Sequence, residues 1–174
     1  MWLRIAFAAA AALLPTCSGI AAPLAAGHTI AVFDFELIDT SLEGAINGPR
    51  PDEQARLART SDQLRRRLAE HDGFTVADVA PVAAEARANN LQSCGGCDTR
   101  LAKQVGADLV VTGTVQKVSN LILNMNIYIR EVDSGRMVAA ASADLRGNTD
   151  ESWSRALDWL LRHRLFGPDN GALK

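Results

Sequence analysis

The sequence predicts a mixed α/β (α+β) fold: a five-stranded sheet, parallel in its first half, antiparallel in its second, with about four helices. Three observations predict it. From Gly106 to Arg146 the odd positions, among them Leu109, Val111, Val115, Leu123, Met125, Ile127, Ile129, Ala139, Ala141 and Leu145, are apolar and the even positions largely polar. That period of two marks three strands with one buried face, and the odd set also includes Leu121 and Met137. His28–Phe35 is apolar on both faces for most of its length, as a central parallel strand requires. The connections between the first three strands are long enough for helical crossovers, whereas 117–120 and 132–136 are hairpin turns.

The elements follow in order. After the first strand, Glu36, Asp39 and Glu43 lead into an irregular stretch with Gly44, Asn47, Gly48, Pro49 and Pro51. A loop at the carboxyl end of a parallel strand is where such sheets place ligands. Asp52 can cap a helix running to about Glu70, with Leu57, Ser61, Leu64 and Leu68 on one stripe. Its run Arg65-Arg66-Arg67 reads as a solvated face with Asp62 and Arg66 paired at i,i+4. Gly73 ends that helix, and Phe74–Asp78 is the second strand. Pro81–Leu91 is a small alanine-rich helix; Asp98 caps the next, which presents Leu101, Ala102 and Val105 to the sheet and closes at Gly106. Both crossovers are expected to be right-handed. Gly113, inside a strand pattern, marks a bulge or a close approach. Asn148 or Thr149 caps a final helix to about Leu165, whose stripe is Trp153, Leu157, Leu160, Leu161 and Leu165; Trp159 falls off it, as an edge packer or a contact.

Residues 1–26 read as a signal peptide: Arg4, an apolar run from Ile5 to Leu14, then small residues that place the cut between about 21 and 26. Residues 27–167 are expected to form a single α/β domain and 168–174 a flexible C-terminal tail. Cys17, after Leu14-Pro15-Thr16, is either discarded with the leader or lipidated; the second case would make the protein a membrane-tethered lipoprotein. The expected destination is the periplasm. Loss of Arg4 with the leader leaves the mature chain more negative, by a single charge, than the formal −2 of the whole sequence, which argues against nucleic acid or anionic lipid as the main partner.

The chemistry-bearing residues leave alternatives open. In an exported chain Cys94-Gly95-Gly96-Cys97 is by default a disulfide; a thiol–disulfide redox site just before a helix start and a share in a metal site remain readings. Asp34, Glu36 and Asp39 could hold a hard cation, though no EF-hand spacing accompanies them and solvated loop acids predict the same residues. The polar sheet face of Asn124, Asn126, Tyr128, Arg130, Asp144 and Arg146 either faces water or docks another envelope protein. With His28, His71 and His163 scattered and no nucleophile, Walker or dinucleotide motif, no catalytic set and no cofactor is expected.

Ala31–Phe35, Cys94–Cys97, Leu101–Val115, Lys117–Leu123 and Arg146–Trp153 (R-G-N-T-D-E-S-W) resemble an uncharacterised family of exported proteobacterial proteins, a domain of unknown function. At greater distance, A-V-F-D-F and G-A-D-L-V-V-T-G-T-V are similar to the amino-terminal domain of TolB and the periplasmic domain of the curli secretion lipoprotein CsgG. The second similarity implies strand order 2-1-3-4-5, helices on opposite faces and a non-enzymatic role in envelope assembly. The expected function is therefore an exported binding or accessory module. The alternatives are a thiol–disulfide protein, or a small-ligand or cation binder at the loop after the first strand.

Overall fold

The structure is a computed structural model that describes residues 27–167; the leader, Cys17 and the 168–174 tail lie outside the described residues. Strands β1 (His28–Val32), β2 (Glu36–Asp39), β3 (Phe74–Val76), β4 (Leu109–Lys117), β5 (Ile122–Glu131) and β6 (Met137–Arg146) form one mixed sheet. Its path is β3-β1-β4-β5-β6, with β2 pairing β4 off that path. The β3, β1, β2 and β4 pairings are parallel; β4-β5 and β5-β6 are antiparallel. Helices α1 (Leu42–Asn47), α2 (Pro51–Ala69), α3 (Ala83–Ala88), α4 (Cys97–Gln104) and α5 (Asp150–Leu160) accompany the sheet among the described residues, with a 3-10 turn at Ala80–Val82 and a π turn at Leu161–Leu165.

The sixth strand corrects the expected five, and its cause is one extra residue. Val32 pairs with Val111 and Glu36 with Thr114, so four steps on one strand oppose three on the other. Such an insertion bends a strand and reverses the side-chain alternation beyond it. Ile30 and Val32 face the core before the break; Leu37 faces it afterwards. The ring of Phe35 lies against Gly113, where a Cβ would collide with it. Gly113 is therefore the close-approach case, and β4 continues through it in unbroken register with β5.

Two cores flank the sheet. The odd face of β4–β6 packs against α2 and α5 through Leu57, Leu64, Leu68, Trp153, Leu157 and Leu160. The other face of β1 and the start of β4, with Ala31, Phe33 and Val110, packs against Val82, Ala86, Leu91, Leu101 and Ala102. Helices thus lie on both faces, and β1 is buried on both. Leu121 and Met137 depart from the expected apolar face and are exposed. Leu121 precedes β5 in the turn, and a register shift near Arg130 pairs it with Met137, leaving Val138 as the odd residue out.

Helix ends also differ from expectation. α2 begins at Pro51 with Arg50 before it, so Asp52 sits in the first turn rather than capping. α4 begins at Cys97 after Gly96, whose φ of 103° is left-handed, and Asp98 is buried inside it. Asp62 pairs with Arg65 at 3.0 Å, not with Arg66, and Arg67 reaches Asp158. α5 has the expected Thr149 cap, reinforced by Ser152 in a reciprocal capping box.

Candidate functional site

The acids after β1 do not converge. Asp34 accepts from Arg65 at 2.5 Å and stands 3.9 Å from Arg87. Glu36 accepts the Leu91 amide at 2.9 Å; burial pushes its carboxyl up, only partly offset by that hydrogen bond. Asp39 turns away, accepting from the Ser41 hydroxyl at 2.5 Å and from Lys117 at 3.3 Å. Among the described residues no three His, Cys, Asp or Glu side chains are grouped to hold a metal ion. Asp34 and Glu36 share a cavity with Phe33, Phe35, Arg65 and Leu91; Asp39 belongs to another cluster.

That other cluster went unpredicted. Lys117 is fully buried, and its ammonium donates to Glu53 at 2.7 Å, Glu43 at 3.2 Å and Asp39 at 3.3 Å. Burial alone would lower the ammonium's pKa, but the hydrogen bonds to the three carboxylates outweigh it and raise it. Asn148 continues the network: its amide donates to Glu53 at 2.6 Å, while its oxygen accepts from Arg56 at 2.9 Å and from Trp153 Nε1 at 3.1 Å. Arg56 and Arg59 then both hold Asp150 at 2.8 Å. The Arg146–Trp153 motif is thus a structural joint between α2, β4 and α5. Lys117 occupies an odd position of β4, the phase of the buried face, and that was the signal available in the sequence.

Cys94 and Cys97 form a disulfide with Cα atoms 5.6 Å apart. Cys97 packs in the second core beside Leu101, and its amide donates to Cys94 Sγ at 3.2 Å. The bridge closes the turn that feeds α4 and fixes Asp98, whose buried carboxylate accepts from Arg130 at 2.6 Å. Arg130, expected on a docking face, therefore ties β5 to α4.

The rest of the polar face divides. Near Arg130 it is covered: Thr112 and Thr114 are buried, and Gln92 donates to the Thr112 hydroxyl at 2.7 Å. Toward the β4-β5 turn it is open. The register sets Ile38, Gln116, Asn124 and Asp144 in one row across four strands, with Ile122 and Arg146 paired beyond it. The Asn124 amide donates to Ser142 at 3.0 Å and Asp144 at 2.9 Å. Asn126 and Tyr128 are half-buried on the same face, and Asp144 and Arg146 are exposed. Ile38, Val118, Leu121 and Ile122, four of the eight exposed large apolar residues among the described residues, lie on or next to this end of the sheet.

Residues 28–165 match a protein family described as "Protein of unknown function (DUF2380)". The chain belongs to that family. No curated protein matches its sequence. Among solved structures, Escherichia coli LpoB aligns at TM-score 0.52 and 16% identity, over 71% of this chain and 58% of that one. The C-terminal domain of Salmonella enterica LpoB aligns at TM-score 0.49 and 18% identity, over 71% and 85%. TolB from Acinetobacter baumannii gives 0.41 and 14%, over 80% and 29%. At these identities the likeness to E. coli LpoB shows a shared fold alone. Among the described residues no helix is long and apolar enough to cross a membrane.

Proposed function

We propose that this family member is an exported, non-enzymatic module that binds another envelope protein through the open end of its polar sheet face. The observation that carries the reading is the row Ile38–Gln116–Asn124–Asp144 with Ile122 beside it: exposed apolar side chains set into a polar platform. A buried sheet face has no need of Ile122 and Leu121 in solvent, and clustered exposed apolar groups mark contact surfaces. The Asn124–Ser142–Asp144 hydrogen bonds hold the platform's polar groups in place, so little side-chain freedom is lost on docking. Export is supported by the leader-like 1–26 segment and the disulfide.

A photo-crosslinker at position 122 tests it. The expected result is one envelope protein captured in cells and lost from the Ile38→Asp variant; an adduct pattern indifferent to Ile38→Asp and Tyr128→Ala would sink the reading. The thiol–disulfide alternative draws no positive support from the packing: Cys97 is buried in the core and Cys94 is half-buried beside it.

A further inference from the structure

The break between β1 and β2 opens a cavity of about 140 Å³ against α3, well above the ~15 Å³ that admits one water. Phe33, Phe35, Val79, Ala86 and Leu91 give it an apolar side, and Asn89 with four charged side chains lines the rest. We propose that it takes a primary ammonium carried on a short aliphatic stem, with the Glu36 carboxylate as counter-ion. The site does not depend on the docking surface proposed above.

The charges around the cavity select the sign of the ligand. Four of the five N–H donors of Arg65 are engaged: Nε and Nη2 donate to the Val32 carbonyl at 3.2 and 3.0 Å, Nη1 to Asp62 at 3.0 Å and Nη2 to Asp34 at 2.5 Å. Arg87 stands at the rim, largely exposed, and reaches only Asp34. Glu36 is left with one backbone donor, and among the described residues no cation lies within ion-pair distance of it. A half-buried carboxylate against apolar walls is poorly solvated, so an incoming cation relieves a cost that an anion would increase. An anion would also meet Asp34. The apolar side in turn rewards a stem of methylene groups, which leave water on binding.

A free alkylamine and the side chain of a partner's lysine present the same chemistry. Amide chemical shifts of the full chain, titrated with n-butylammonium, with Nα-acetyl-lysine amide and with butyrate, distinguish them. Both cations moving the amides of residues 33–36 and 86–91 points to a lysine side chain as well as a free amine; n-butylammonium alone restricts the site to free amines. Glu36→Gln should weaken either about tenfold, the size expected for removing a charged hydrogen-bond partner. Ala86→Phe, which fills the cavity and leaves Glu36 in place, should abolish binding; thermal melts of both variants confirm that they fold. Shifts driven by butyrate and lost in Arg87→Ala, or cation shifts unchanged in folded Glu36→Gln, overturn the proposal.

Discussion

Lys117 Nζ meets Glu53 Oε1 at 2.7 Å with neither side chain exposed to solvent, which makes this pair the electrostatic centre of the fold. Removing one member of a buried pair strands the other, at a cost of about 3–5 kcal/mol, whereas replacing both removes the stranded charge. Urea denaturation should therefore show Lys117→Met losing stability on that scale and the Lys117→Met/Glu53→Gln double variant regaining part of it. A double variant as unstable as the sum of its singles would mean that the two residues are not coupled.

The same cluster sets a pH window. The Lys117 and Asn120 hydrogen bonds, and that of Arg50, hold the Glu43 carboxyl below its ordinary 4.5. Asp39 is pushed up by burial but pulled down further by Ser41 and Lys117, ending below its ordinary 3.8. Groups with depressed values stabilise the fold above those ordinary values and lose that contribution as pH falls through the folded ones. Lys117 is raised above its ordinary 10.5, so its contribution is present below that pH and lost as pH rises through the higher folded value. Melting temperature should stay level from about pH 5 to 10 as far as this cluster is concerned and fall on both sides. In Lys117→Met the alkaline fall should shrink; an unchanged alkaline limb would assign that loss to other groups.

The Cys94–Cys97 bridge closes a four-residue loop, for which chain entropy gives about 2 kcal/mol. Cys94→Ser/Cys97→Ser should lower stability by roughly that amount and loosen α4, seen as faster amide hydrogen exchange at residues 98–104. Partner crosslinking at position 122 should survive. Loss of crosslinking in a folded double-serine variant would instead assign the thiols a role in binding.

The antiparallel half was legible because one face is apolar and the other largely polar, which writes a period of two into the chain from Leu109 to Leu145. The first strand announced its centrality through Ile30, Ala31, Val32 and Phe33, and α5 through its Thr149 cap. β2 was hidden for a definite reason: the extra residue at 33–35 reverses the alternation, so Leu37 falls out of phase with Val32. α1 was hidden because it buries no residue and leaves no stripe. Asp98 resembled a helix cap because its partner, Arg130, lies 32 residues away and no local pattern joins them. The open end of the polar face was readable as a surface. Its limit was not, because Gln92 and α4 cover the other half from a distant stretch of the chain.

That division of the face yields the sharpest test of which residues hold the fold and which meet a partner. Arg130 supplies the counter-charge to a buried Asp98, so Arg130→Ala should cost about 3–5 kcal/mol by leaving that carboxylate unpaired. Tyr128 is half-buried, and Ile122 is exposed at the open end. Ile122→Ala should change stability by less than about 0.5 kcal/mol, as surface substitutions usually do. Capture of the envelope partner should respond in the opposite order, falling several-fold in Ile122→Ala and remaining in Arg130→Ala under conditions where that variant is folded. Chemical denaturation and crosslinking on the same two variants measure both quantities. A partner lost only with Arg130 would place the interface over α4 instead, on the covered half of the sheet.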